Sequence, residues 1–152
     1  MKRLLLLLTT LLVSSTQASA RDILYLNCKV TSEFLVSDLA TSKVVEDRTI
    51  DDISILKIDL KASTAHDARS EEAVDIVIEG EMALIEQRID DDEIQLNDDG
   101  SLHLIPPYPM SGTGKTVYKS KNQKADYAYQ GSCIELDASA FYEALNQQKI
   151  YY

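Results

Sequence analysis

The side chains in this sequence best suited to chemistry are two histidines, His66 and His103, and both lack suitable partners. A serine triad needs a carboxylate brought from across the fold to orient its base, whereas Asp67 is simply the next residue after His66. No serine lies in a Gly-x-Ser-x-Gly motif, and two histidines offer too few ligands for zinc. The sequence therefore predicts no catalytic residue, no metal site and no cofactor. A small secreted hydrolase or cation-dependent enzyme stays as the alternative, because 25 acidic side chains always bring some carboxylate pair together.

The segment Gly-Thr-Gly-Lys-Thr at 112–116 has some features of a phosphate-binding loop. That motif requires a glycine five residues before Gly114, where this chain has Pro109, and it requires a strand leading into the loop. The prolines at 106, 107 and 109 argue against such a strand. We interpret the segment as a flexible loop.

Acidic residues are concentrated at 90–93 and again at Asp98 and Asp99. Oxygen clusters of this kind suit calcium. The EF-hand pattern fails, however, because Gln95 stands at its first position when Gly100 is taken as the sixth. A solvated acidic turn is the preferred interpretation, and calcium binding stays an open question.

Cys28 and Cys133 are the only cysteines, and residues 1–20 have the features of a signal peptide. Lys2 and Arg3 precede a short apolar run, and a small-x-small pattern ends at Ala20. The run is too short to span a bilayer, so we expect cleavage before Arg21, a periplasmic or secreted location and no stable membrane insertion. In an exported chain the two cysteines are expected to form one disulfide.

The charge of the remaining chain, residues 21–152, excludes one class of partner. Of 15 basic side chains, Lys2 and Arg3 belong to the signal segment, which leaves 13 against 25 acidic ones. A surface this acidic repels nucleic acid, whose binding depends on neutralising phosphates. Apolar residues still alternate in several segments, so we expect a packed core in a single disulfide-stapled β domain over 21–152.

The alternation of apolar residues predicts several strands. Ile23–Thr31 alternates throughout and places Cys28 on the buried face. In 53–61 the phase changes, which predicts a β-bulge near Ile55 and Leu56. The polar segment 62–72 is expected to be a loop or a short helix. A strand is expected to start at Val74. The segment after Gly80 suits a continued strand or a short helix, and the strand is preferred.

The segment Glu93–Ile105 is predicted to be a hairpin with its turn at Asn97–Gly100. That register pairs Leu96 with Leu102 and puts the apolar residues on one face. A last strand is expected around Asp126–Leu136. Asp137 is then expected to cap a C-terminal helix.

Residues 106–124 contain prolines and paired glycines, so we expect an irregular loop that stands out from the scaffold. Tyr108 and Met110 offer apolar contact area there, and Lys115 and Lys119 belong to a basic patch beside them. Loops of this kind carry the contacts of many small binding proteins. These four residues are the candidate partner-binding site.

The sequence as a whole predicts a mainly β fold, a small antiparallel barrel or sandwich with a short C-terminal helix. The function most consistent with it is a non-catalytic binding or envelope-associated protein. Its partner would be another protein or an envelope polymer, and the sequence does not identify it.

Overall fold

In a computed structural model that describes residues 21–148, the chain forms a closed barrel of eight antiparallel strands. Each strand pairs with the next in sequence, and β8 pairs with β1 to close the barrel. The strands are β1 Ile23–Asp38, β2 Val44–Asp59, β3 Thr64–Asp67, β4 Val74–Glu79, β5 Met82–Asp90, β6 Ile94–His103, β7 Pro109–Tyr118 and β8 Gln123–Glu135. The predicted mainly β fold is confirmed, in its barrel form. The predicted signal peptide lies outside the described residues.

The predicted disulfide is confirmed, and it lies where the barrel closes. Cys28 on β1 stands directly opposite Cys133 on β8, with the two Cα atoms 3.9 Å apart. Both side chains point inward and are buried. The bond therefore links the first and last strands across their shared ladder.

The C-terminal helix α1, Ala138–Gln148, packs on the outside of the barrel. Phe141 is its buried anchor, with its ring centroid 5.7 Å from that of Tyr25 on β1 and 5.5 Å from that of His66 on β3. Covering these two rings explains why Phe141 is almost completely removed from solvent. The predicted short helix is confirmed.

The predicted β-bulge at Ile55 and Leu56 is wrong. β1 and β2 keep one register from Ile23 opposite Asp59 to Val36 opposite Glu46. Leu56 points into the barrel, whereas Ile53 points outward with 51% of its surface exposed. Ile53 and Ile55 thus lie on the outer face of the sheet, Ile53 exposed and Ile55 partly buried, and no inserted residue is needed.

The predicted hairpin turn at Asn97–Gly100 is also wrong. β6 runs through this segment without a break and pairs with β5 on one side and β7 on the other. The turn lies earlier, at 91–93, where Asp91 Oδ1 accepts hydrogen bonds from the backbone N–H groups of Glu93 and Ile94, both at 2.8 Å. The acidic run at 90–93 therefore forms the β5–β6 turn.

Two segments predicted to be irregular contain strands. Within 62–72 the chain forms β3, and within 106–124 it forms β7, which pairs along its length with both β6 and β8. Only the β6–β7 connection and the turn after β7 lie outside strands in the second segment. The expectation of a loop that stands out from the scaffold at 106–124 is wrong.

The barrel interior divides into two halves. The apolar half is a buried cluster around the disulfide that includes Leu26, Ile58 and Leu102. The polar half lies beyond Val30 on β1, and its inward positions include Ser32, Ser54, Asp98, Tyr127 and Tyr129.

The strands around the polar half do not all extend along it. β2 pairs with β3 only over Leu56–Asp59, and β5 pairs with β4 only over Met82–Ile85. Within the described residues, the rest of β2 and the rest of β5 each pair with one strand alone. The segment 68–73, between β3 and β4, lies in the space between these two edges. The polar half is therefore walled on one side by a short loop instead of a strand.

Candidate functional site

The main candidate site is a cavity of about 550 Å³ in the polar half of the barrel, which we call the interior cavity. Residues of all eight strands line it together with the loop residues 69–73, and β3 and β4 contribute only their ends next to that loop, Ala65, Asp67 and Val74. Five of its lining residues are acidic: Asp52, Asp67, Glu71, Glu72 and Asp98. Its apolar lining includes Val30, Leu56, Ile85 and Met110. An eight-stranded barrel has an interior wide enough for one small ligand, so the size of this cavity suits a small molecule.

A cluster around Arg69 joins the loop wall to β2. The guanidinium donates to Asp67 through Nε and Nη2, at 3.2 and 3.1 Å, and to Ser54 Oγ at 2.9 Å. It also forms an ion pair with Asp52. Ser54 donates in turn to Asp67. The cluster ties the loop 68–73 to β2 and to the end of β3.

The Arg69 cluster holds its carboxylates in the ionised form. Burial alone would raise the pKa of Asp67, but hydrogen bonds from Arg69 and Ser54 outweigh it and lower that pKa below its ordinary value. A hydrogen bond from Arg69 is also the main cause of the lowered pKa of Asp52. Arg69 is thus committed to three acceptors, and its charge is balanced within the wall.

Asp98 is a different kind of carboxyl group. It projects into the cavity from the middle of β6, opposite Gln87 on β5 and Gly114 on β7. Its Oδ1 is buried, and among the described residues it has no hydrogen-bond partner. Burial raises the pKa of Asp98, although hydrogen bonding from the phenols of Tyr127 and Tyr129 to the carboxyl group acts against that increase and leaves Oδ1 as the unpartnered oxygen. A buried acceptor without a donor is energetically costly, which marks it as a position where a ligand can be bound.

Two tyrosines of β8 lie across glycines of the neighbouring strands. Tyr127 stands opposite Gly114, and Tyr129 stands opposite Gly112, which is itself paired with Gly100 on β6. A Cβ atom at any of the three glycines would overlap a tyrosine ring or its hydroxyl group. Glycine is therefore required here for space, because the rings lie flat on the backbone of β7 and reach toward β6.

Residues 112–116 lie beneath these rings, although the sequence was interpreted as a flexible loop there. Gly112 and Gly114 face the interior as part of β7, and Thr116 between β6 and β8 is buried. The interpretation of this segment as a flexible loop is wrong.

The four residues of the predicted partner-binding site do not form one exposed patch. Tyr108 is 5% exposed, belongs to the apolar cluster and donates a hydrogen bond to Glu135. Met110 packs against the same cluster, with its sulfur 3.9 Å from Cys133 Sγ. The expectation that Tyr108 and Met110 offer exposed contact area is wrong, because both point into the barrel.

Lys115 and Lys119 do lie on the surface. Lys115 is exposed on the outer face of β7, and Lys119 Nζ pairs with Asp90 Oδ1 at 2.8 Å. Lys119 of the expected basic patch therefore pairs with the acidic β5–β6 turn. A partner-binding role for these two lysines stays a prediction.

The two histidines lie outside the interior cavity. His66 packs on Phe141 of the helix, and its Nε2 lies 3.1 Å from the carbonyl oxygen of Ser70. His103 lies at the end of β6 beside a larger depression of about 920 Å³ on the outer face. That depression is lined mainly by outward residues of β1, β2, β7 and β8, and no unpartnered buried polar atom of the described residues lies in it. The interior cavity, with Asp98, is the better candidate despite its smaller volume.

Comparisons of the chain with protein-family models, with curated proteins and with solved structures found no match. Between residues 21 and 148, no helix is long and apolar enough to cross a membrane. Over the same residues, no three His, Cys, Asp or Glu side chains are placed so that they could share a metal ion.

Sequence reasoning missed the residues of the interior cavity. Asp98 was assigned to a turn, and Tyr129 was treated only as part of a late strand. A signal was present in the sequence: Gly112-Thr113-Gly114 and Tyr127-Ala128-Tyr129 share a spacing of two. On paired strands that spacing puts two tyrosines over two glycines, which indicates rings lying across a sheet.

Proposed function

We propose that this protein is an exported, non-catalytic binding protein that holds a small ligand in the interior cavity. The observation that carries the proposal is the buried Oδ1 of Asp98, which faces a cavity of about 550 Å³ and has no donor among the described residues. A fold with no use for this oxygen would lose stability by keeping it buried. A ligand that donates to it removes that cost.

The surroundings support binding more than catalysis. The cavity walls are braced by the ladder of β6 with β7 and by the Arg69 cluster, so the site is largely formed before a ligand arrives. Neither histidine lines the cavity. Export is supported by the disulfide, since such bonds persist in oxidising compartments.

The test is to fill the cavity and ask whether ligand capture is lost. Ser32 lines the cavity opposite Tyr129, so Ser32→Leu places an apolar side chain inside it. Ser111→Leu makes the same chemical change at an exposed position of β7 and serves as the matched control. Both variants are checked by circular dichroism for an intact fold.

Native mass spectrometry of the oxidised protein, after incubation with a small-molecule extract of the producing cells, is the measurement. We expect the wild type and Ser111→Leu to retain the same non-covalent adduct and Ser32→Leu to lose it. An adduct retained equally by all three proteins, or by none, contradicts binding in the interior cavity.

A further inference from the structure

The charges around the interior cavity are strongly unbalanced. Five carboxylates line it against a single cation, Arg69. Arg69 already donates to Asp67, Ser54 and Asp52, so its charge is used within the wall. An anionic ligand would therefore meet the unpartnered oxygen of Asp98 with no free cation beside it, which is unfavourable.

Asp98 also requires a donor from its ligand. Oδ1 is buried and accepts no hydrogen bond from the described residues. A purely apolar ligand would exclude water and leave this oxygen unpaired, which costs more than leaving it hydrated. The ligand must therefore present an N–H or O–H group at this point.

The aromatic wall favours a positively charged donor. Tyr129 lines the cavity with its ring set against Gly112 and Gly100. A cation near a tyrosine ring is attracted by the negative face of the ring, and this attraction is stronger when the cation is desolvated. A carboxylate and an aromatic ring around one small volume form the kind of site that binds an ammonium group.

The rest of the lining suits a short hydrocarbon chain. Val30, Ile85 and Met110 supply apolar surface between the polar wall and the apolar half. A metal ion fits less well, because the part of the chain that the structure describes brings no three His, Cys, Asp or Glu side chains together around one point.

We propose that the interior cavity binds a small organic cation, an alkylammonium or alkylguanidinium compound. Its charged group donates to Asp98 beside Tyr129, and its alkyl part lies against Val30, Ile85 and Met110. This assignment rests on the binding function proposed in the preceding subsection and adds the chemical class of the ligand.

Three probes of equal chain length separate the possible classes: pentylammonium, pentanol and pentanoate. Each is titrated into the oxidised protein by isothermal calorimetry at neutral pH and about 0.15 M salt, where screening suppresses long-range attraction to the acidic surface. We expect pentylammonium to bind and pentanoate not to bind. Pentanol is expected to bind at least tenfold more weakly than pentylammonium.

Asp98→Asn and Asp99→Asn form a matched pair of variants, because the two carboxylates are adjacent but Asp99 pairs with Arg88 on the outer face. We expect Asp98→Asn to weaken pentylammonium binding at least tenfold and Asp99→Asn to change it less than twofold. Equal weakening in the two variants would show nonspecific charge attraction and overturn the proposal.

The failure of this proposal is distinguishable from failure of the binding function. If pentanol or pentanoate binds more tightly than pentylammonium, and Ser32→Leu abolishes that binding, the ligand class is wrong and the cavity still binds small molecules. If no probe binds while wild type still retains its extract adduct and Ser32→Leu does not, the cation assignment is likewise overturned. If no probe binds and the wild type retains no extract adduct that Ser32→Leu loses, the binding function itself is overturned.

Discussion

The apolar and polar halves of the barrel are built from the same long strands, but one forms a packed core and the other surrounds a cavity. In the apolar half, inward side chains such as Leu26, Ile58 and Leu102 are fully buried against the disulfide. In the polar half, the same strands β1, β2 and β6 turn Ser32, Ser54 and Asp98 inward around an open cavity. The first half supplies stability through burial and covalent closure, and the second retains polar groups that a stability-optimised core would not contain.

The difference between the halves follows from strand length. β3 and β4 end within the apolar half, so that half has a full ring of strands, whereas the polar half is closed on that side by the loop 68–73, which Arg69 ties to β2. Backbone ladders exclude water more completely than a loop braced by side chains does. Removing stability from the apolar half should therefore unfold the whole barrel, and changes in the polar half should have smaller effects.

The largest effect is expected at the disulfide. Replacing both Cys28 and Cys133 by Ala opens a cross-link that spans 105 residues and leaves a gap in the apolar cluster. The free energy of unfolding should fall by about 2–5 kcal/mol, partly because the unfolded chain gains conformational freedom. Chemical denaturation followed by circular dichroism measures the change.

Ser132→Ala is the control for this experiment, since Ser132 adjoins Cys133 but points outward. It should alter stability by less than about 0.5 kcal/mol. If the double-alanine variant proves as stable as this control, the apolar half does not depend on its covalent closure.

An intermediate effect is expected in the polar half, at Gly114. A Cβ there overlaps the ring of Tyr127, so Gly114→Ala should destabilise the barrel by about 1–3 kcal/mol, the usual cost of overpacking. Adding Tyr127→Ala removes the clash, and the double variant should lose less stability than the sum of the two single variants. Thermal melts of the four proteins test this.

Thr113→Ala, at the exposed neighbouring position, controls for the change in strand propensity. Strict additivity of Gly114→Ala and Tyr127→Ala would mean that the ring does not lie over the glycine. In that case Gly114 would be required by the backbone of β7 and not to make room for the ring of Tyr127.

How far the sequence predicts this molecule depends on what each residue type signals. The alternation of Ile23–Thr31 correctly predicted β1, and the inward phase of Cys28 correctly predicted a buried disulfide with Cys133. The alternation is a local signal, and the disulfide involves the only two cysteines in the sequence. The C-terminal helix was correctly predicted to follow Asp137, and Phe141 anchors it on the barrel.

The candidate site was missed because glycine occurs both in turns and loops and beneath large side chains in a sheet. Gly100 after two aspartates resembles a hairpin turn, and Gly112 and Gly114 resemble a loop. Here all three make room for tyrosine rings from β8, a contact between strands that are distant in sequence. A single sequence shows the conformational freedom of a glycine but not the side chain that occupies the space above it.

The smallest effects, and the sharpest contrast, are expected from two carboxylates within the polar half. Asp67 has a lowered pKa, so the folded state binds its proton less tightly than the unfolded state does. Its stabilising contribution is present at neutral pH and is lost as the pH falls through the acidic range. Asp98 has a raised pKa, so its contribution has the opposite sign: stability is greatest at low pH and is lost as the pH rises through its folded-state pKa.

Asparagine substitutions at the two positions should therefore shift stability in opposite directions. At pH 7, Asp67→Asn should lower the melting temperature by about 3–8 °C, because Arg69 loses its main partner. Asp98→Asn should raise it by about 2–4 °C, because a half-buried charge with one unpartnered oxygen is removed. The Asp98→Asn difference should shrink toward zero at low pH, where Asp98 is protonated. The Asp67→Asn difference should persist to more acidic pH, because the pKa of Asp67 is lowered, and melting curves recorded from pH 8 downward provide the test. A fall in stability at pH 7 for Asp98→Asn would mean that Asp98 is satisfied inside the empty barrel, and the case for a cationic ligand would lose its main support.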